Sequence, residues 1–281
     1  MKKRRSFFYP FILFLTKIFI FCYPIQSFCE VPFDLKNILS RKKIIVALSS
    51  TNYPPFFYLG KDRQLYGYDV EIAKDIAKKL GVKLEIEKSG KNFLDVVKLI
   101  EKSKADLAIS AVSATLSRAL TVHFSDPYLL ANQCLLLNRV LELKIKNDEI
   151  SFQHHNIQVA ILKNSAYEEF ANENKLYFGE KFKNFNFIHY ENLDQAVSDV
   201  ISGKIFALYT DEIHINYILN HKKNANIYVR KKILEGAFDP ISIVVNWKNQ
   251  NLKSWINLYI KRMKQNGQEK FLSQKYLRNS R

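Results

Sequence analysis

The 281-residue chain is 47% hydrophobic, enough for one large domain or two modest ones with packed cores. Of its three cysteines, Cys22 and Cys29 lie in the N-terminal segment, so only Cys134 remains beyond it and an intramolecular disulfide is excluded there. The formal net charge is +16, and five basic residues of the N-terminal segment account for the difference from +11 in the rest. That excess is scattered in Lys-Lys pairs between apolar positions; with no zinc spacing and no arginine-rich segment, a nucleic-acid groove is excluded.

Lys2-Lys3-Arg4-Arg5 precede an apolar run over residues 7–28, rich in Phe, Ile and Leu. Basic residues followed by an apolar segment are the order of a secretory signal. The small side chains of Ser27 and Cys29 place cleavage just before Glu30, so residues 1–29 are expected to be removed on export. An uncleaved anchor is the alternative, opposed by Lys17 near the middle of the run, where a charge is costly in a bilayer. Bulky Phe28 disfavours lipid attachment at Cys29.

After a short lead containing Pro32, residues 44–48 form a continuous apolar run, as in a strand buried on both faces. The loop over 49–56 carries Tyr53-Pro54-Pro55. Val70, Ala73, Ala77 and Leu80 mark one face of a helix over 67–81, with Asp69 as its cap and Gly81 as its end. Residues 82–86 alternate as a strand, and a helix over 92–102 turns Val96, Val97 and Ile100 inward. Residues 106–110 form a short buried strand, followed by helical turns over 115–120. This βαβαβ order predicts parallel strands with helical crossovers. An apolar run at 133–137 and a lysine-rich passage to 156 follow, and then the rhythm restarts. Strands are expected at 157–162, 185–189 and 205–209, helices at 165–172, 193–202 and 211–220, and extended chain at 227–229. Two such units in series predict two lobes rather than one long sheet. A strand at 241–245, an amphipathic helix at 251–264 and a shorter helix after Gly267 form a tail expected on the first lobe.

Ser113, Thr115 and Arg118 fall just past the carboxyl end of the 106–110 strand. Ligands bind there in open α/β sheets, because strand ends meet helix N-termini with free N–H groups. A guanidinium at that place suits a carboxylate, which it grips through two parallel charge-assisted hydrogen bonds. Tyr53, Asn164-Ser165 and Asp211 occupy equivalent strand ends. Together they present a cation, an anion, hydroxyls and an aromatic face, a set complementary to a free α-amino acid: Arg118 for the carboxylate, Asp211 for the ammonium, Tyr53 for the side chain. Each also has a plain structural alternative: Arg118 exposed on a helix turn, Asp211 and Ser165 as helix caps, Tyr53 as a packed turn aromatic. His123 beside Phe124 reads as structural, His154-His155 lacks a second ligand pair, and Cys134 reads as buried and inert.

Three motifs in this order and spacing, Gly67-Tyr68-Asp69-Val70-Glu71-Ile72-Ala73, Ser113-Ala114-Thr115-Leu116-Ser117-Arg118 and Phe124-Ser125-Asp126-Pro127-Tyr128, resemble the polar amino-acid family of extracellular solute-binding proteins. Those are the receptors of ABC importers, and the similarity runs from about residue 44 to 276. The resemblance implies an α/β, two-lobed periplasmic-binding-protein fold. Each lobe would be a mainly parallel sheet flanked by helices, the two joined by crossing strands near 133–137 and 235–240 and closing over the ligand. The implied organisation is a signal peptide over 1–29, a first lobe over 30–137, a second over 138–235 and a return to the first over 236–281. The implied function is a monomeric periplasmic receptor that hands a free polar amino acid to an inner-membrane ABC permease, with no cofactor, metal or nucleic acid.

By the same resemblance the ligand-binding set is Tyr53, Phe93, Ala111, Ser113, Arg118, Ser165 and Asp211. Arg118 and Ser113 hold the α-carboxylate, Asp211 the ammonium, and Tyr53 and Phe93 sandwich the side chain. Ser165, with the N–H groups around Ala166, closes on the carboxylate. The segment Leu162-Lys163-Asn164-Ser165-Ala166-Tyr167 departs from the family's Gly-Thr-Thr pattern. Ser50 stands where members that bind basic side chains often carry an acid, which argues against arginine or lysine as ligand. Two other classes compete. A dehydratase acting on cyclic carboxylates would need a cleft acid or base besides Asp211, and Glu168 and Glu169 read as exposed. A membrane-anchored sensor would retain the N-terminal segment.

Overall fold

The computed structural model describes residues 30–147, 157–173 and 185–278. The N-terminal segment with Cys22, Cys29 and the expected cleavage position, and the pair His154-His155, lie outside the described residues. In chain order the elements are α1 (Phe33–Ser40), β1 (Lys43–Ala47), the ribbon β2 (Tyr58–Leu59) and β3 (Leu65–Tyr66), α2 (Tyr68–Leu80), β4 (Lys83–Glu87), α3 (Phe93–Glu101), β5 (Leu107–Ala108), α4 (Leu116–Ala119) and β6 (His123–Asn138). There follow α5 (Arg139–Lys146), β7 (Ile157–Leu162), α6 (Tyr167–Glu173), β8 (Phe185–Tyr190), α7 (Leu193–Ile201), β9 (Ala207–Asp211), α8 (Glu212–His221), α9 (Ala225–Tyr228), β10 (Val229–Val245), α10 (Gln250–Gln265) and α11 (Gln268–Leu272).

Each lobe is a sheet covered on both faces, and the period-2 alternation of its strands decides which side chains enter which core. In the first lobe Ile44 and Val46 of β1 pack with Val70 and Ile76 of α2 and Ile256 and Met263 of α10, whereas Ala47 packs with Val96, Val97 and Ile100 of α3. In the second, Val159 and Ile161 of β7 face Leu135, Leu137 and Phe170, and Ala160 faces Leu136, Val197 and Leu208. Full burial of each branched aliphatic contributes about 1.5–3 kcal/mol. Side-chain caps start the helices behind these strands: Asn92 accepts from Asp95 N, Asn138 from Leu141 N, and Asn192 from Asp194 N and Gln195 N. The sequence reading missed α1, the β2–β3 ribbon, α5 and α9, the last lying where extended chain was expected at 227–229. Helix α1 is tied down by Asp34, whose carboxylate accepts from the N–H groups of Asn251 and Leu252 at the start of α10.

The two lobes share one hydrogen-bonded sheet, in the order β4-β1-β5-β10-β6-β9-β7-β8. This departs from the expectation of two units without one long sheet. Strands β1, β4 and β5 are parallel, as are β7, β8 and β9; β6 and β10 run antiparallel to each other through both groups. These two strands are 16 and 17 residues long, far longer than the segments 133–137 and 241–245 suggested by the apolar runs. Asp126-Pro127 and Asp239-Pro240 precede those runs in sequence. In space both pairs lie within the ladder: Asp239 and Pro240 pair in register with Ala131 and Leu130, and Pro127 pairs with Ser242 between two register shifts.

Asp69 does not cap α2. The cap position is Gly67, and the Asp69 carboxylate is fully buried, accepting from Ala111 N at 2.6 Å and from the Tyr128 hydroxyl at 2.8 Å. Gly67 is needed for two reasons. Its φ is +129°, and a Cβ there would lie 2.2 Å from the Phe56 carbonyl oxygen.

Gly67→Ala should therefore destabilise the fold by about 2–4 kcal/mol, because the clash is with backbone and cannot be relieved by a rotamer change. A urea midpoint equal to that of the wild type would refute this. Burial pushes the Asp69 carboxyl up from 3.8 to about 7, against the lowering effect of its two hydrogen bonds. The folded state thus holds a proton that the unfolded chain releases first, and the contribution of this group to stability is lost as pH rises from about 4 through about 7. Melting temperatures measured across that range should fall less steeply for Asp69→Asn than for the wild type.

Candidate functional site

All seven residues expected at the site line one cleft between the lobes: Tyr53, Phe93, Ala111, Ser113, Arg118, Ser165 and Asp211. The first five come from the first lobe and the last two from the second.

Thr115 accepts from Arg118 N and opens α4, which turns the guanidinium inward. Arg118 is only 9% exposed, so the reading of an exposed helix-turn arginine does not hold. Its Nη1 donates to Ser113 O at 3.0 Å and its Nη2 reaches across the cleft to Asn164 O at 3.3 Å. Burial lowers its pKa, while the charges of Asp239 and Glu169 act the other way. Ala111 sits at φ +47°, a left-handed conformation uncommon for a residue with a side chain, and the Asp69 carboxylate on its N–H holds it there.

Asp211 serves two purposes at once. Its Oδ1 accepts from His214 N at 2.7 Å and caps α8, so the structural role considered from sequence is real; its Oδ2 accepts from the Tyr53 hydroxyl at 2.7 Å. That second bond joins the lobes. Burial, and then the charge of Asp211, raise the Tyr53 pKa well above its usual value, so the phenol remains the donor.

Phe93 meets Tyr53 edge-on at 5.4 Å, while His214, at 4.7 Å and 7°, and Phe56, at 5.7 Å and 16°, stack on Tyr53. One expectation needs correction. Glu168 and Glu169 are half-buried rather than exposed. Glu169 crosses the cleft to accept from the Ser117 hydroxyl, and Glu168 accepts from Asn164 N. The Ser165 hydroxyl is engaged within its own loop, donating to Leu162 O at 2.6 Å and accepting from Tyr167 N at 3.3 Å. Ser50 is exposed and lines neither cavity of the cleft. His123 lies against Trp247, and Cys134 is buried and unoxidised in β6.

Among the cleft residues that escaped the sequence reading are Tyr167, His214 and Asp239. His214 follows Asp211 by three residues on the same helix, so that spacing was a usable signal. Burial lowers its pKa, and its Nδ1 lies 3.2 Å from Pro54 O, which selects the tautomer that donates there. Asp239 comes from β10, is 3% exposed, and accepts from Ser113 Oγ at 3.1 Å and from the Tyr167 hydroxyl at 3.0 Å. Burial first, and then the charge of Asp211, push its carboxyl up to about 7. Nothing in the alternation of β10 distinguished it beforehand.

The space left among these side chains is about 10 Å³, room for about one water molecule. The groups facing the cleft therefore hold one another across it. Beyond Tyr53 and Phe93 the cleft widens to about 410 Å³, with Thr51, Asn92, Glu191, Asp194 and His214 on its walls. Among the described residues no cluster of His, Cys, Asp or Glu is placed to hold a metal ion, and no helix is long and apolar enough to cross a membrane.

Comparison with known proteins agrees with this architecture. The chain is 23% identical over 235 residues to the arginine-binding periplasmic protein of Mannheimia haemolytica, covering 83% of this chain and 90% of that one. It is 26% identical over 242 residues to the arginine-binding extracellular protein ArtP of Bacillus subtilis, covering 84% and 87%. Among solved structures, the ancestral amino acid-binding protein AncCDT-1, a precursor of cyclohexadienyl dehydratase, superposes with a TM-score of 0.70 at 26% identity, covering 86% of this chain and 98% of that one. AbpA of Streptococcus pneumoniae bound to L-arginine gives 0.69 at 26% identity, covering 87% and 98%. The model of one family, described as bacterial extracellular solute-binding proteins, family 3, matches residues 44–279, and with the match spanning both lobes and the cleft between them, the chain belongs to that family.

Proposed function

We propose that the chain is the periplasmic receptor of an ABC importer and binds a free polar amino acid between its lobes. The observation that carries this reading is a guanidinium and a carboxylate, Arg118 and Asp211, brought from opposite lobes to one buried cleft. A zwitterion has the matching charges. Arg118, with Ser113 and the loop at Ala111, takes the α-carboxylate; Asp211 takes the ammonium; Tyr53 and Phe93 flank the side chain; Ser165 borders the carboxylate from the second lobe. The names of relatives that bind arginine, lysine or cystine support a free amino acid as the ligand class.

Ligand entry requires a change of partners. The Tyr53 hydroxyl has to leave Asp211 for the ammonium to reach that oxygen, and the Arg118 contact with Asn164 O has to loosen. Lobe separation does both, and β6 and β10 are the strands through which such a hinge motion passes. We assign residues 1–29 to a cleaved secretory signal, 30–137 and 236–281 to the first lobe and 138–235 to the second, and we read the receptor as a monomer that delivers its ligand to an inner-membrane permease.

The roles of the charged pair are tested by calorimetric titration with amino acids. Arg118→Ala and Asp211→Asn should each weaken binding by about 2–5 kcal/mol, because closure leaves one ligand charge buried without its partner. Asn is chosen at position 211 because its side-chain oxygen still caps α8. Lys at position 118 should restore only part of the loss, since an ammonium lacks the two-pronged geometry. Unchanged affinity in Arg118→Ala would exclude the carboxylate role. Asp239 supplies the second cleft acid that a dehydratase would require, so prephenate and arogenate belong in the same assays. A receptor raises its melting temperature with ligand and leaves it chemically intact; saturable turnover of either compound would overturn this reading.

A further inference from the structure

Contacts across the cleft differ in what a ligand does to them. Under the receptor reading, the Tyr53 bond to Asp211 and the Arg118 bond to Asn164 O have to give way when an amino acid enters. The contact of Ser117 with Glu169 does not. Ser117 lies on α4 of the first lobe and Glu169 on α6 of the second, and neither lines either cavity of the cleft. This bond can therefore form with a ligand in place as well as without one.

Both ends of the contact suit each other. Thr115 caps α4 by accepting from Arg118 N, and the N–H of Ser117 in the same turn finds its acceptor in the other lobe. Glu169 Oε1 accepts from that N–H at 3.3 Å, and Oε2 accepts from the Ser117 hydroxyl. Burial works against the Glu169 charge, but hydrogen bonds from Ser117 and Thr115 outweigh it and hold the carboxyl below its ordinary range. An exposed pair would contribute little. Here two donors converge on a half-buried anion, and hydrogen bonds to a charged group are the stronger kind. The same anion lies close enough to Arg118 to favour the charged guanidinium.

We propose that Glu169 is a latch between the lobes and a positioning residue for Arg118: it engages the turn that carries the arginine only when the lobes meet, and so prolongs the stay of a ligand without touching it. It rests on the receptor reading only in that the lobes open and close. Because the latch sits outside both cavities, it stabilises the closed form by the same amount whatever occupies the cleft. Its loss speeds opening, and with it ligand release, by one factor for every ligand. Affinity follows fully where the ligand-free protein is mainly open, and less as its closed fraction grows, because the latch then acts on both sides of the equilibrium. The dissociation rate is therefore the measure that reads the latch directly.

The test uses the exported protein with two probes that differ in side-chain charge, arginine and glutamine, and follows their release by stopped-flow fluorescence. Glu169→Ala should release both about five- to twentyfold faster than the wild type, and by the same factor to within about twofold. Ser117→Ala, which keeps the backbone N–H, and Glu169→Gln, which keeps an acceptor, should fall between. The double variant Glu169→Ala/Ser117→Ala should be no faster than Glu169→Ala, since both changes remove one contact. If Glu169→Ala does not fold, Ser117→Ala carries the test with the same signs. Wild-type release rates in these variants would overturn the proposal, as would factors that differ by more than about threefold between the probes, which would put Glu169 in contact with ligand. Small-angle scattering of the ligand-free protein supplies an arm that needs no ligand: the radius of gyration should be larger in Glu169→Ala than in the wild type. If neither amino acid binds, the receptor reading falls and the scattering decides this one, an unchanged radius overturning it.

Discussion

A cleft that closes on a charged molecule removes water from every ionised group inside it, and each such group must then find a partner of opposite sign or a hydrogen bond. Most of the cleft follows from that constraint. Arg118 is nine-tenths buried yet has two carbonyl oxygens as acceptors, one from its own loop and one from across the cleft. Asp211 is shared between a helix N-terminus and a phenol. With little space left in the centre, the Tyr53 hydroxyl occupies the second Asp211 oxygen, and the polar groups facing the cleft satisfy one another across it.

Positioning these groups takes a second layer of buried polarity. Arg118 depends on the backbone of the loop after β5, which holds Ala111 in a left-handed conformation. The strain is offset by the Asp69 carboxylate, itself fixed by the Tyr128 hydroxyl. The motif Gly67-Tyr68-Asp69 and the motif ending at Tyr128 are therefore parts of one bracket around the third. Motifs separated in sequence by tens of residues meet at a single backbone N–H.

The crossing strands impose a different limit. Because β6 and β10 belong to the ladders of both lobes, relative movement has to be absorbed within two antiparallel strands rather than in a loose linker. Register shifts near Ile233–Phe238 and beside Pro127 interrupt the regular ladder there. Asp239 lies next to one of them, so a charged residue enters the cleft from the element that also joins the lobes.

Much of this was legible from the chain alone, because it is local or periodic. Apolar runs and 3.6-residue faces located nearly all the strands and helices of both lobes, and the strand-end rule brought Tyr53, Ser113, Arg118, Ser165 and Asp211 to one cleft without coordinates. What depends on long-range contact was not legible. Asp69 read as a helix cap because its partners, Ala111 and Tyr128, are 42 and 59 residues away. The two long strands were expected only over 133–137 and 241–245, since only the opposing strands reveal how far the ladder extends. His214 stacks on Tyr53, and Asp239 faces Ser113 from 126 residues on. One acid among the five charged residues of β10 carries no local mark; only folding surrounds it with other charges and removes the water.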